Sequence, residues 1–323
     1  MRKLTILCLS GLLLFGISCQ KSENSTITTD QVTIDHRTCA SNDVLQAQLA
    51  ADPSLEQKMN DIENFTKRVI ASREYLRLST TGTLNIPVIV HVLYNTNREN
   101  ISDGQIQSQI DVLNADYNLL NKDNTNVPAL FSSLKAAVGV NFVLDRTIRK
   151  YTSVKSWVPN DAVKLSSYGG DDAIDPEHYL NIWVCNLTSD LLGYSSFPGG
   201  PRWRDGVVIG YFCFGTKGGN LIHEYNLGRT ATHEIGHWMN LHHIWGDISC
   251  GNDFVKDTPQ ATGPNYGCPS YPLWNDCQSH EIMMTMNYMD YTNDACMYMF
   301  TNDQKDRMLA IFVKGGPRST FVK

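Results

Sequence analysis

The chain has 323 residues, of which 42% are hydrophobic and 19% are charged, and its formal net charge is −6. This length suffices for one large domain with a smaller appendage. An acidic balance without any basic run argues against nucleic acid as a partner.

Residues 1–18 have the pattern of an export signal. Basic residues precede an apolar run over residues 4–17, which is too short for a comfortable membrane span. Small residues before Cys19 are typical of a bacterial lipoprotein signal, in which Cys19 becomes the lipidated first residue. An ordinary cleaved signal peptide is the alternative. Both predict an exported protein that meets a membrane only through a lipid anchor, if at all.

Residues 19–72 are predicted to form a flexible tether and a propeptide. Ser, Thr and Asn dominate residues 20–34, which is typical of a tether. Apolar residues then recur at helical spacing over residues 41–78. A cut at Lys67–Arg68 or at Ser72–Arg73 would release this segment, and the sequence alone does not separate the two.

Residues 73–323 are predicted to form the main domain, in which strands and helices alternate. A polar cap at Ser102 begins one helix, and Thr301 stands at capping-box spacing from Gln304 at the start of a last helix that ends near Val313. The predicted strands are Ile86–Tyr94, Val140–Leu144, Leu180–Leu187 and Val207–Phe214, and the other helices are Asp103–Leu113 and Thr230–Met239.

The helix near residue 235 carries a metal-binding spacing. Because an α-helix has about 3.6 residues per turn, His233 and His237 lie on one face and can reach one ion. Glu234 then projects toward a water molecule bound to that ion. A helix that bears this His-Glu-x-x-His pattern by chance is the alternative interpretation.

A third histidine strengthens the prediction of zinc. His243 lies six residues after His237 and cannot join it while the helix continues. Asn240 is suited to a break, since Asn is the commonest residue other than glycine with positive φ. We therefore predict an open three-histidine zinc site, with His242 beside it or at the surface.

The chain resembles the metzincin clan of zinc endopeptidases and, within it, the short bacterial form of the pappalysin family. The resemblance covers roughly residues 85–315, and it departs from the clan at Asn240, where glycine is usual. The residues that carry it are His233–Asp247, Cys250–Asp253, Asp257–Pro259, Cys268–Pro269, Asn287–Tyr291 and Asp294–Met297.

The resemblance implies an α+β fold. A mixed, twisted five-stranded sheet with a backing helix and an active-site helix would lie over an irregular lower subdomain stapled by disulfides. Val207–Phe214 would be the edge strand, to which an extended peptide substrate can add. Met289 would lie in a tight turn below the metal, with core filling among its neighbouring methionines as the alternative. Tyr291 would approach the zinc.

The cysteine count fits an exported protein. Of nine cysteines, Cys8 lies in the signal and Cys19 is the predicted lipidation site. Four others follow the zinc motif, which predicts two disulfides. Cys185 and Cys213 are expected to be buried thiols, with a disulfide between them as the alternative. Among the three pairings of the four later cysteines, the family resemblance favours Cys250–Cys277 and Cys268–Cys296.

Cys39 remains, two residues after Arg37 and upstream of the main domain. A thiolate is a strong zinc ligand, and this arrangement resembles a cysteine switch, in which the thiol occupies the open position on the metal and keeps the enzyme latent. Arg37 could pair with a carboxylate there. An incidental cysteine in a disordered leader is the alternative.

The loop after the zinc motif is predicted to bind calcium. Carboxylate and hydroxyl oxygens suit this ion, and the family resemblance implies calcium in the region. Solvated turn chemistry, in which Asp is favoured anyway, is the alternative. The candidate ligands are Asp253, Asp257 and Thr258, with Asp247 nearby.

The predicted activity is zinc-dependent hydrolysis of internal bonds in protein or peptide substrates by a latent, monomeric enzyme. Glu234 would act as the general base and Tyr291 would stabilise the oxyanion. Asp294 would favour Arg or Lys after the cut, as the resemblance also implies. A non-catalytic zinc-containing surface lipoprotein is disfavoured by the intact Glu234. An astacin-like peptidase is disfavoured by Ile244, where those chains carry Glu.

Overall fold

The computed structural model describes residues 34–80, 84–188 and 190–322, without the side chains of residues 79 and 80. The predicted signal, the lipidation of Cys19 and the tether up to residue 33 lie outside these residues. Within them, no helix is long and apolar enough to cross a membrane.

One sheet of six strands organises the fold, in the order β1-β5-β6-β4-β2-β3. All neighbouring pairs are parallel except β5 with β6. Five strands belong to the main domain, as predicted, and β1 comes from the upstream segment. The strands are β1 Thr38–Cys39, β2 Leu84–Tyr94, β3 Val140–Tyr151, β4 Leu180–Cys185, β5 Leu191–Ser195 and β6 Val207–Gly210.

The prediction that Val207–Phe214 is the edge strand was wrong. β6 ends at Gly210 and lies between β4 and β5, so it has a partner on each side. The outer strand of the main domain on this side is β5, which the sequence analysis missed. β5 has only five residues and contains Gly193 and Ser195, so its apolar pattern is too short to stand out.

Six α-helices are present in the described residues. The region predicted as helical over residues 41–78 forms three of them, and the caps predicted at Ser102 and Thr301 accept hydrogen bonds from Gln105 N–H and Gln304 N–H. The helices are α1 Ser41–Ala51, α2 Ser54–Ser72, α3 Leu76–Thr80, α4 Asp103–Asp116, α5 Arg229–Trp238 and α6 Asn302–Ala310.

The helices α4 and α5 pack on one face of the sheet and form the main core with it. Alternate residues of β2, such as Val88 and Val90, point into this core together with Ile110 of α4 and Ile235 of α5. The other face is covered in part by the upstream segment, because Val44 of α1 belongs to the apolar cluster there. The segment upstream of the main domain is thus part of the packed structure.

The chain after α5 is largely irregular and is stapled by two disulfides. They join Cys250 to Cys277 and Cys268 to Cys296, the pairing that the family resemblance favours. Cys185 and Cys213 are buried free thiols, so the alternative disulfide between them does not form.

Candidate active site

The helix that carries the zinc motif ends soon after its second histidine. α5 contributes His233 and His237, and Asn240 follows with φ of 74°. In this left-handed conformation the next amide N–H donates to Gly236 O at 2.9 Å, which closes the helix. The chain then reverses and brings His243 back to the first two histidines.

Hydrogen bonds determine which nitrogen of each imidazole is free. Nδ1 of His233 and Nδ1 of His237 face backbone carbonyl oxygens at 2.7 and 2.8 Å, and Nδ1 of His243 faces Asp247 Oδ1 at 2.5 Å. Each Nδ1 therefore carries the proton. The unprotonated Nε2 atoms converge, with Nε2 of His237 3.2 Å from that of His233 and 3.1 Å from that of His243.

This arrangement fits a zinc ion held by His233, His237 and His243. Three lone pairs at such distances repel one another unless a cation lies between them, and neutral imidazole is the form that binds zinc. Burial also lowers the pKa of His233 and that of His237 well below the usual value, which favours the neutral form.

Cys39 lies beside the three histidines and offers a fourth ligand atom. Its Sγ atom and one nitrogen from each of the three histidines all lie within 4.8 Å of one another. Two contacts hold it there: β1 pairs with β5, and the Tyr291 hydroxyl donates to Cys39 O at 3.0 Å. The thiol is thus placed where it can bind the same metal ion.

Glu234 lies buried beside the histidines and is covered by the upstream segment. Its Oε2 accepts hydrogen bonds from Ser41 Oγ at 2.8 Å and from Cys39 Sγ at 3.3 Å. Burial raises the pKa of Glu234 to about 7, while these two hydrogen bonds act in the opposite direction. Behind it stands Gly193 of β5, where a side chain would meet Glu234 Cγ at 3.0 Å.

Met289 forms part of the floor beneath α5. It is fully buried, and its Sδ would lie 2.5 Å from any Cβ at Gly236. The turn that holds it is fixed by Asn287, whose Oδ1 accepts from Met289 N at 2.9 Å. Met289 therefore fills the space under the helix that bears the two histidines.

Tyr291 stands against the histidines from the side of the floor. Its ring lies 4.9 Å from that of His243 and 5.8 Å from that of His233, measured between centroids. Trp245 supports it at 4.8 Å. With its hydroxyl on Cys39 O, Tyr291 already donates to a backbone carbonyl beside the metal ligands.

Asp294 lies fully buried beside the site, in a pocket that the Arg37 side chain fills. Arg37 Nη2 lies 2.5 Å from Asp294 Oδ1, and both side chains are 1% exposed. The guanidinium also donates to Thr230 Oγ1 and to Thr292 O, each at 3.1 Å, and stacks over the Tyr225 ring at 5.2 Å. The pocket therefore pairs all three guanidinium nitrogens of an arginine and stacks an aromatic ring on the group.

The calcium candidates do not converge on one point. Thr258 Oγ1 donates to Asp253 Oδ2 at 2.6 Å, whereas Asp257 Oδ2 accepts from Asp303 N at the start of α6. Asp247 contacts His243 instead of these residues. Burial raises the pKa of Asp253 to about 6, while hydrogen bonds from Thr258 and Val255 and the charge of Arg307 act in the opposite direction.

The roles of two residues of the site escaped the sequence analysis. Ser41 contacts the catalytic candidate Glu234, but a serine at the start of a helix reads as an ordinary capping residue. Asp247 fixes the proton position on His243, and its spacing of four residues could have revealed it. His242, expected beside the site, is largely buried against Phe197 and Phe254.

A His-Glu-x-x-His helix whose third histidine returns after a break, above a floor that contains a buried methionine, belongs to the metzincin class of zinc metallopeptidases. Comparisons with known proteins give the family. The family model described as Pregnancy-associated plasma protein-A matches residues 169–313. An extracellular metalloprotease of Arthroderma benhamiae is 32% identical over 73% of this chain and 80% of that protein. The chain belongs to this family, the pappalysins, and is a metalloendopeptidase.

Solved structures extend the likeness to the upstream segment. Mature mirolysin of Tannerella forsythia in complex with a cleaved peptide is 44% identical over 74% of this chain and 96% of that one, with a TM-score of 0.72. A mutant of Tannerella forsythia promirolysin is 42% identical, covers 88% of this chain and 97% of that one, and has a TM-score of 0.80. The proform thus matches more of this chain than the mature form does.

Proposed function

We propose that this metalloendopeptidase is made as a latent zymogen and, once activated, cuts peptide bonds before Arg or Lys. The observation that carries the proposal is the placement of the upstream segment in the site. Cys39 lies at the zinc ligands, Ser41 at Glu234 and Arg37 in the Asp294 pocket. A segment that lies at the metal ligands, contacts Glu234 and fills the Asp294 pocket leaves no room for a substrate.

In the active enzyme, the three histidines would hold zinc, which would supply an activated water at neutral pH. Glu234, freed from Ser41, takes a proton from this water and passes it to the leaving amine. The Tyr291 hydroxyl donates to the carbonyl oxygen on which negative charge develops. Its present hydrogen bond to Cys39 O supports this role, since that oxygen is also a backbone carbonyl beside the histidines.

The activation cut is proposed at Ser72–Arg73. Arg73 is exposed and lies at the end of α2 in a left-handed conformation, with φ of 55°, so a protease can reach the bond. Lys67–Arg68 lies inside α2 and would require the helix to unwind. A cut before Arg73 also places a basic residue after the scissile bond, which matches the Asp294 pocket. The mature enzyme would then begin at residue 73.

The decisive experiment is to incubate the purified protein with casein, with and without a zinc chelator, and to sequence the new N-termini. We expect cleavage that stops with the chelator, with Arg or Lys first in each product. The enzyme's own new N-terminus should be Arg73. Apolar residues in the first position would refute the specificity, and an absence of cleavage even after removal of the upstream segment would favour the non-catalytic lipoprotein.

We expect the Asp294→Asn variant to lose selectivity for basic residues. The variant keeps the shape of the side chain but removes the charge that pairs with a guanidinium, and such hydrogen bonds contribute roughly 1.5–3 kcal/mol. kcat/KM for a peptide with Arg after the cut should fall roughly 10- to 100-fold relative to a matched peptide with Met. Exposed Asp276 provides the control, since Asp276→Asn should leave the ratio unchanged. An unchanged ratio in Asp294→Asn would contradict the assignment.

Calcium is proposed to bind at Asp253 and Thr258, which lie together in the loop after the zinc motif. The Asp253 carboxylate is buried, and carboxylate and hydroxyl oxygens are ligands that calcium prefers, which supports the proposal. Removal of calcium, with zinc kept in the buffer, should lower the melting temperature of the wild-type protein by several degrees. The Asp253→Asn variant should melt at the same temperature with and without calcium. Equal calcium dependence in both proteins would rule the site out.

Export is also proposed for this chain. Relatives that match most of it bear the name extracellular metalloprotease, and two disulfides staple the region after α5, which suits an oxidising compartment. We further propose that Cys19 anchors a monomeric enzyme to a membrane through lipid.

A further inference from the structure

The upstream segment contacts a second surface beyond the Asp294 pocket. His36, which precedes Arg37, packs its ring against the ring of Tyr266, with centroids 4.8 Å apart and planes at 70°. The Tyr266 ring also lies 6.1 Å from that of Tyr291, which connects it to the floor of the site. Away from the histidines, the segment thus meets the Asp294 pocket first and Tyr266 next.

The loop that carries Tyr266 is fixed on both sides. Before it, Asn265 donates through its backbone and its side chain to the two carboxylate oxygens of Asp290, at 2.9 and 2.8 Å. After it, Gly267 O accepts from Asn293 N at 2.8 Å, and the disulfide from Cys268 follows directly. Tyr266 is therefore held at a constant position relative to the metal site, although it is 46% exposed.

From this geometry we infer that Tyr266 is a specificity-determining residue, which contacts the second residue after the scissile bond and favours a ring there. The inference rests on the proposed function, since it takes Arg37 as the counterpart of a basic residue after the cut. A substrate that fills the Asp294 pocket carries its next residue away from the zinc, where Tyr266 offers the face and edge of a half-exposed ring.

The chemistry of the surface explains the preference. An aromatic ring has a negative face and a positive edge, so two rings attract most strongly when tilted or offset, as His36 and Tyr266 are. Small or acidic side chains at the same position gain no such contact. Because the surface is half open to water, the gain is limited to about 2- to 12-fold, the range of an aromatic pair.

The test uses the activated enzyme and peptides that have Arg after the cut and Phe, His, Ala or Asp next. The wild-type kcat/KM should be about 2- to 12-fold higher with Phe or His than with Ala or Asp. The Tyr266→Ala variant should lose this difference, while Tyr266→Phe should keep it. The control is Tyr168→Ala, since this tyrosine is exposed and lies in a turn before β4.

A second peptide series, with Met in place of Arg after the cut, separates the inference from the proposed function. If Arg is preferred over Met but the next position shows no ring preference, the inference is overturned and the proposed specificity stands. The same holds if the ring preference survives in Tyr266→Ala. If Arg is not preferred over Met, both fail together. Loss of the ring preference in Tyr266→Ala, with the Arg preference intact, supports both.

Discussion

Replacement of Glu234 by Ala is expected to abolish peptide hydrolysis while zinc stays bound. Glu234 is the carboxylate beside the three histidines, and it is not needed to hold the metal, because each histidine is oriented by another acceptor. Loss of a general base lowers the rate by roughly 10²- to 10⁴-fold. kcat/KM on an Arg-containing peptide and the zinc content per chain, measured on the same preparation, check both halves of the expectation.

The Glu234→Ala measurement needs mature protein. A variant without the base cannot remove its own upstream segment, so trace wild-type enzyme should be added to cut it and then be separated. The matched control is Glu224→Ala, because Glu224 is an exposed acid that precedes the same helix by one short turn. Full activity in Glu234→Ala, or loss of zinc from it, would refute the mechanism.

The zinc site could be predicted because its information is local. Two histidines four residues apart must share a helix face, and Asn240 provides the positive φ that brings the third histidine back. Two disulfides were also expected from four cysteines in one contiguous stretch, and the family resemblance favoured their pairing. In each case the residues that determine the geometry lie within about thirty positions of one another along the chain.

The edge of the sheet could not be predicted, because it depends on contacts between residues that are distant along the chain. β5 is short and contains glycine, and it becomes a strand through pairing with β6 and with β1. β1 lies more than 150 positions away along the chain. Gly193 is required because Glu234 packs against it, which is a tertiary constraint. The apolar pattern showed only the longer run that contains β6, so the edge position implied by the family resemblance was assigned to that run.

The contacts of the upstream segment could be predicted in part, unlike those at the edge of the sheet. Cys39 and Arg37 have distinctive chemistry, a thiol that binds zinc and a cation that seeks a carboxylate, so their roles could be proposed before their partners were known. Ser41 has no such chemistry. Its importance comes from its position, with Oγ donating to Glu234 Oε2 and accepting from Ser195 N, each at 2.8 Å, and long-range position is what sequence alone does not supply.

Latency should therefore depend on separable contacts of the upstream segment, and those of Cys39 and Ser41 can be measured while the segment stays attached. An Arg73→Ala background blocks the proposed activation cut. In it, Cys39→Ala should raise the activity of the uncleaved protein on a small peptide by at least about tenfold, equivalent to about 1.4 kcal/mol of lost stabilisation of the closed state. The reason is that the thiol competes directly with water and substrate for the metal.

Ser41→Ala should raise activity by less than Cys39→Ala, because it frees the base but leaves the metal covered. The double variant should exceed either single one, since the two side chains contact different groups, and the remaining latency would come from Arg37 in the Asp294 pocket. Exposed Ser249 offers the control, with no expected effect of Ser249→Ala. If Cys39→Ala stays as inactive as its parent and binds zinc normally, the thiol does not hold the enzyme latent. The arginine contact would then be the one that closes the site, because it buries a charge pair that only removal of the segment can open.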